Sequence, residues 1–198
     1  GYGGMHLLPM IDFEAIRSNP KLLCGFSDIT ALQWAIYSMC GLPSVSGAMV
    51  ATDFGDLPID PCMESQFWEL IETGHTTVSF DSTESDIKGE FHGPIIAGTL
   101  AVAAKQMGSA YFPNLDDHIV VFEDVDEPIH KIEGYLRQLV LAGELDKIKA
   151  IIIGEFTPPK VESFDDVPSL EKVLDRIFTP IGIPYTRGIR YGHIKNKI

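Results

Sequence analysis

Ser27 stands in the run Lys21-Leu22-Leu23-Cys24-Gly25-Phe26-Ser27-Asp28-Ile29-Thr30-Ala31, where apolar residues meet a Gly-x-Ser turn and then a helix-like segment. A serine at a strand–turn–helix elbow has its hydroxyl held above the carboxyl end of the strand. The helix amino terminus behind it offers backbone N–H groups and a positive dipole end, which suit an oxyanion beside a nucleophile. The same two residues, Ser27 and Asp28, serve equally well as a cap for a helix over 29–40, because both types satisfy unpaired N–H groups. Ile29 stands where the stronger Gly-x-Ser-x-Gly form has its second glycine.

A serine nucleophile needs a base within hydrogen-bond reach and an acid to orient that base, and the three come from distant parts of a chain. Of six histidines, His6, His75, His118 and His130 fall at caps or strand starts and read as surface residues. His92 and His193 each adjoin a glycine, a setting in which a loop histidine can point into a cleft. His193 is favoured because it follows an apolar segment and lies at a turn. Among acids, Glu123 follows an apolar strand and Glu127 competes with it four residues later. The opening Gly1-Tyr2-Gly3-Gly4 reads either as a flexible end or as a loop that lets backbone N–H groups approach a reacting oxygen. Arg187 and Arg190, close to His193 in sequence, are candidate clamps for a substrate carboxylate, with a surface salt bridge as the plainer reading.

The elements that must position these groups follow from periodicity. A helix is expected over 7–16, stopped by Asn19-Pro20, then a buried strand over 22–24, a helix over 29–40 and a strand over 44–46. Residues 22–49 therefore read as strand–helix–strand, and a parallel sheet places a site at the carboxyl ends of its strands. The stretch 53–61 is rich in Pro, Gly and Asp and starts a linker; a helix over 63–72 and strands over 76–80 and 89–91 come next. Beyond it lie an apolar segment at 95–98, a small-residue helix over 99–107, strands over 118–122 and 148–153, and helices over 129–142 and 169–178. Alternating strands and helices make the fold α/β. The expected division is a nucleophile-bearing domain over 1–62, a linker over 63–80 and a domain carrying acid and base over 81–198.

Composition excludes several classes. The 198 residues are 45% hydrophobic, enough for a real core, and the formal net charge is −13 with Lys and Arg scattered, so nucleic acid is not an expected partner. No apolar run approaches the roughly 20 residues a membrane helix needs, and no basic-then-apolar leader precedes the first motif. Cys24, Cys40 and Cys62 form no C-x-x-C pair, which argues against a disulfide framework and a thiolate zinc site, and fits a reducing compartment. Cys24, Trp34 and Trp68 are expected in the core.

Four ordered landmarks span nearly the whole chain: Gly-Tyr-Gly-Gly-x-His-Leu-Leu-Pro, Gly25-Phe26-Ser27-Asp28-Ile29-Thr30, Val121-Phe122-Glu123-Asp124-Val125 and Tyr191-Gly192-His193. In this the sequence resembles the LD-carboxypeptidases, serine peptidases that include the microcin C self-immunity peptidases. The resemblance implies Ser27 as nucleophile, Glu123 as acid, His193 as base, and an oxyanion hole from the backbone N–H of Asp28 and of Gly3 or Gly4. It implies a flavodoxin-like amino-terminal domain, here partial, followed by a carboxy-terminal α/β domain. The implied reaction needs no metal or cofactor and releases terminal D-alanine from murein tetrapeptide in the cytoplasm, in a homodimer. The rival substrate is a peptidyl-nucleotide amide, and a noncatalytic ligand-binding domain is the alternative from another class. Family members carry a segment before the glycine-rich loop and continue past the Gly-His turn, so this chain is expected to be a fragment lacking part of its first sheet. Where the family often has Gly-Asn-Leu, this chain has Gly98-Thr99-Leu100.

Overall fold

Two parallel sheets position the candidate residues in the computed structural model, which describes residues 1–55, 57–82, 90–159, 168–195 and 197. The chain opens with α1 (Gly4–Leu7) and α2 (Phe13–Ser18). The single helix expected over 7–16 is broken, because Pro9 sits in a tight turn after α1 and the Asp12 carboxylate accepts from the Ala15 N–H to start α2 afresh. Next come β1 (Cys24–Gly25), the Ser27 elbow and α3 (Thr30–Cys40), which closes at Gly41 with φ 69°, a left-handed cap that glycine adopts freely. β2 (Val45–Ser46) pairs in parallel with β1.

After β2 the chain turns through residues 50–54 and reaches α4 (Pro61–Thr73), capped by the Asp60 side chain. Residues 76–80 form no strand: the Thr77 carbonyl and the Thr76 hydroxyl bond back to Gln66 and Glu69 of α4, and among the described residues no strand pairs with them to make a ladder. Of the strand expected over 89–91, residue 89 lies outside the described residues and Glu90 and Phe91 are irregular. The acidic stretches at 83–89 and 160–167 also lie outside them.

The second sheet takes β3 (Ile95–Thr99), β4 (Ile119–Val125), β5 (Ala150–Thr157) and β6 (Tyr185–Arg187) in spatial order, all parallel. α5 (Leu100–Gln106), α6 (Ile129–Leu141) and α7 (Leu170–Phe178) make its crossovers. Side chains alternate along a strand, so each sheet face gathers its own set. Ile96, Val120, Phe122, Ile151 and Ile153 pack with Leu100, Leu136, Leu139 and Leu174 of the helices and with Trp34 of α3. Ala97, Val121 and Ile152, one step out of phase, meet Phe26, Tyr191 and Ile189. The second face is the one that matters for the site.

Three burial expectations are corrected. Trp34 is core at 1% exposure, but Trp68 is 47% exposed and leans on Phe54 and Phe67, because its face of α4 has no sheet beneath it. Cys24 is exposed, on a two-stranded sheet too narrow to cover both faces. His118 is buried, its ring held between the Tyr37 hydroxyl and the Asp116 carbonyl.

Candidate active site

Ser27, two residues past β1, lies in the left-handed region at φ 62°, a conformation that non-glycine residues adopt only under local constraint. The constraint comes from both sides. α3 starts at Thr30, and buried Gln33 one turn in donates to the carbonyls of Gly25 and Val45, fixing both short strands to the helix. At Gly25 a Cβ would fall 2.3 Å from Ile29 Cγ2, so only glycine lets the chain fold back this tightly.

Glu123 lies inside β4, which runs further than the expected 118–122. It shares the sheet face of Val121, and Thr99 of β3 lies directly opposite it in register. The Thr99 hydroxyl donates to Glu123 Oε1, and the carboxylate is fully buried. The next residue, Asp124, faces the helix layer, where it accepts from the N–H of Ala101 and of Val125. Burial pushes the Asp124 carboxyl up to about 6 despite these two donors.

His193 arrives on the segment after β6. The Tyr191 carbonyl accepts from the Glu155 N–H at 2.7 Å, and the Tyr191 hydroxyl pairs with Ser46 Oγ at 2.7 Å, so this segment is pinned to both sheets. The His193 ring packs 4.7 Å from the Phe26 ring, its Nδ1 lies 2.8 Å from Glu123 Oε2 and its Nε2 lies 2.9 Å from Ser27 Oγ. A carboxylate can only accept, so Nδ1 carries the proton and Nε2 presents its lone pair to the serine hydroxyl. Ser27, His193 and Glu123 thus stand in one hydrogen-bonded line, with the carboxylate dry and the imidazole side chain 24% exposed.

The remaining candidates divide. The Asp28 N–H follows the elbow directly, while the Asp28 carboxylate accepts from the Gly4 N–H at 2.7 Å. That bond occupies the Gly4 N–H, and the neighbouring Gly3 has φ 107°. Arg187 pairs with Glu171 of α7 at 2.7 Å, on the helix side of the sheet and away from His193. Arg190 pairs at 3.1 Å with Asp60, which borders the cleft beside His193. Glu127 pairs with Lys131, and His92 is 86% exposed beside Glu90.

The cleft has a volume of about 610 Å³ and is lined by His193 and Phe26 together with Met49, Asp53, Leu57, Pro58 and Met63. Residues read from sequence as the start of a linker therefore form that wall. Lys197 also lines the cleft, paired with Asp53. Neither member of this pair was flagged by the sequence, and no local pattern joins residues so far apart. Thr99 did carry a signal, as the departure from Gly-Asn-Leu. Among the described residues, no group of three or more His, Cys, Asp or Glu could hold a metal ion, and no helix is long and apolar enough to cross a membrane.

Comparison with known proteins gives consistent matches. Residues 92–198 match the family model for the LD-carboxypeptidase C-terminal domain, and residues 1–47 match that for the LD-carboxypeptidase N-terminal domain. A probable murein peptide carboxypeptidase of Bacillus subtilis is 30% identical over 200 residues, spanning 100% of this chain and 63% of the relative. The microcin C7 self-immunity protein of Escherichia coli is 30% identical over 220 residues, spanning 94% of this chain and 62% of the relative. The crystal structure of muramoyltetrapeptide carboxypeptidase from Oxalobacter formigenes superposes with a TM-score of 0.88 at 28% identity, covering 100% of this chain and 68% of that one.

Proposed function

The chain belongs to the LD-carboxypeptidase family, and on that premise we propose that it carries the catalytic centre of a serine peptidase that releases terminal D-alanine from murein tetrapeptide. The observation that supports this reading is the continuous line Ser27 Oγ, His193 Nε2, His193 Nδ1, Glu123 Oε2, with contacts of 2.9 and 2.8 Å. In the proposed reaction Ser27 Oγ attacks the carbonyl carbon of the L,D peptide bond as its proton passes to His193 Nε2. Glu123 orients the imidazole and stabilises the cation that forms. The N–H groups of Asp28 and Gly3 hold the developing oxyanion, each such donor contributing about 3 to 4 kcal/mol in comparable sites. Collapse of the tetrahedral intermediate expels the D-alanine amine, which takes the proton back from His193. Water, deprotonated by the same imidazole, then frees the acyl group from Ser27.

The cleft wall supplies apolar surface from Met49, Leu57, Pro58 and Met63. Arg190, held by Asp60 at the border of the cleft, stands nearer to a substrate carboxylate than Arg187 does. The same reading assigns a homodimer acting in the cytoplasm. A peptidyl-nucleotide amide is the second substrate to consider, because the half-exposed indole of Trp68 offers a stacking surface that a core tryptophan would not.

The test is release of D-alanine from purified murein tetrapeptide by the full-length protein, followed by mass spectrometry, with a peptidyl-nucleotide in parallel. Release from the tetrapeptide that disappears in both Ser27→Ala and His193→Ala is the expected result. Cleavage of the nucleotide conjugate alone overturns the murein assignment. Failure on both, with no fluorophosphonate labelling of Ser27, overturns the enzyme reading altogether.

A further inference from the structure

Asp53 and Lys197 lie 144 positions apart and form an ion pair with Nζ 2.6 Å from Oδ1, each side chain only 5% exposed. Two charges taken this far out of water cost desolvation that their attraction offsets only in part, so folding stability alone is a poor reason for them. Their surroundings are built to hold them. Asp53 Oδ2 accepts from the Met49 N–H at 2.8 Å and from the Thr52 hydroxyl at 2.9 Å. Burial would raise the Asp53 carboxyl, but the bonds from Lys197, Met49 and Thr52 hold it below the usual aspartate range. On the other side, Lys197 Nζ reaches the Ile194 carbonyl at 3.5 Å and sits 5.2 Å from the centroid of the Phe26 ring.

That ring is the common element. Phe26 directly precedes Ser27, is 2% exposed, and is packed by the rings of His193 at 4.7 Å and Tyr191 at 5.7 Å as well as by the ammonium of Lys197. The segment that carries His193 is therefore tied at both ends: Tyr191 fixes it before the histidine, and Lys197 fixes it four residues after. The second tie runs to the cleft wall at residues 49–54. We propose that the Asp53–Lys197 pair is a clasp that keeps the His193 imidazole seated on Phe26, with Nε2 on Ser27 Oγ, and ties the position of the base to the wall that meets substrate. Both are positioning residues, since neither touches Ser27 Oγ or the His193 ring nitrogens. The proposal rests on His193 being the base assigned above.

The experiment measures the second-order rate of Ser27 labelling by a fluorophosphonate in the full-length protein. It compares wild type, Ser27→Ala, Lys197→Met, Lys197→Arg, Asp53→Asn and the double variant Asp53→Asn/Lys197→Met, with folding verified by circular dichroism. The double variant removes both charges and leaves neither buried alone, so it keeps the test usable where a single variant fails to fold. An error of about 1 Å in catalytic placement costs on the order of 100-fold. The expected result is a labelling rate lowered roughly 10- to 100-fold in each folded Asp53 or Lys197 variant that loses a charge, with the double variant no slower than the slower single. Lys197→Arg, which keeps a cation beside Asp53, labels closer to the wild-type rate than Lys197→Met does. Folded charge-removing variants labelled at the wild-type rate overturn the clasp and leave the nucleophile standing. A wild type as inert as Ser27→Ala refutes the nucleophile assignment and the clasp together.

Discussion

Asp124 offers a quantitative test of how the sheet separates two adjacent carboxylates. Glu123 faces the site, whereas Asp124 is buried against α5 with a carboxyl pushed from 3.8 to about 6, mainly by desolvation. A carboxyl whose folded value exceeds its unfolded value binds more protons in the native state between the two, so stability falls as pH rises through that window. At 1.36 kcal/mol per pH unit, the charged form costs about 3 kcal/mol relative to the protonated one. That cost is absent below pH 4 and complete above pH 6. Replacing Asp124 with Asn removes the titration but retains only one good acceptor for the two N–H groups of Ala101 and Val125, at a loss of about 1 to 3 kcal/mol. The wild-type minus Asp124→Asn difference in unfolding free energy, from urea titrations at intervals between pH 4 and 7.5, should therefore decline by about 3 kcal/mol across the range, whatever its offset. A flat difference would show that Asp124 is ionised with no penalty, and the burial argument would be wrong. A rising difference would mean that its two N–H donors outweigh desolvation.

Two further substitutions probe the frame around the base and acid. Thr99→Val removes the hydroxyl donor to buried Glu123 Oε1, with an expected loss of about 1.5 to 3 kcal/mol in stability by chemical denaturation and roughly tenfold in kcat, because a hydrogen bond to a charged group is among the stronger kind. An unchanged KM would mark the effect as one on positioning. Gly154→Ala would put a Cβ 2.3 Å from the Tyr191 carbonyl, so the His193 segment must shift, and labelling of Ser27 should slow far more than a melting curve loses height. Equal labelling of Gly154→Ala and wild type would show that the base has slack to spare.

How much of this was legible in the sequence depended on range. Where one element carries its own pattern, the reading held: the 3.6-residue spacing of Ile132, Leu136 and Leu139 marks a helix that the structure has over Ile129–Leu141. The Gly-x-Ser elbow and the glycine beside His193 are likewise local features, and the two residues meet in space with Glu123. The failures share a different cause. Periodicity over 7–16 missed that Pro9 and Asp12 divide the segment. Strand composition at 76–80 carries no information on a partner, and among the described residues no strand pairs with it. Trp68 has a helical spacing but no sheet beneath it, and exposure is decided by what lies opposite. The Asp53–Lys197 pair, joining two segments 144 positions apart, has no periodic signature at all.

The helix α3 gives the site an unequal mechanical tolerance. Its first turn carries the Ser27 elbow; its Thr30 hydroxyl accepts from the Thr99 N–H, Trp34 Nε1 donates to the Ala97 carbonyl, and the Ala31 carbonyl accepts from Gln106. Ser27 and Glu123 are thus both referenced to one datum, as two holes drilled from the same edge keep their spacing however the workpiece is moved. The imidazole is mounted on a segment outside the regular elements, six residues long from Gly188 to His193, whose place rests on the few ties at Tyr191 and Lys197. Sequence drift in α6 and α7, which carry none of these three bonds, leaves the serine-to-carboxylate spacing alone, while loss of the ties on that short segment moves the imidazole.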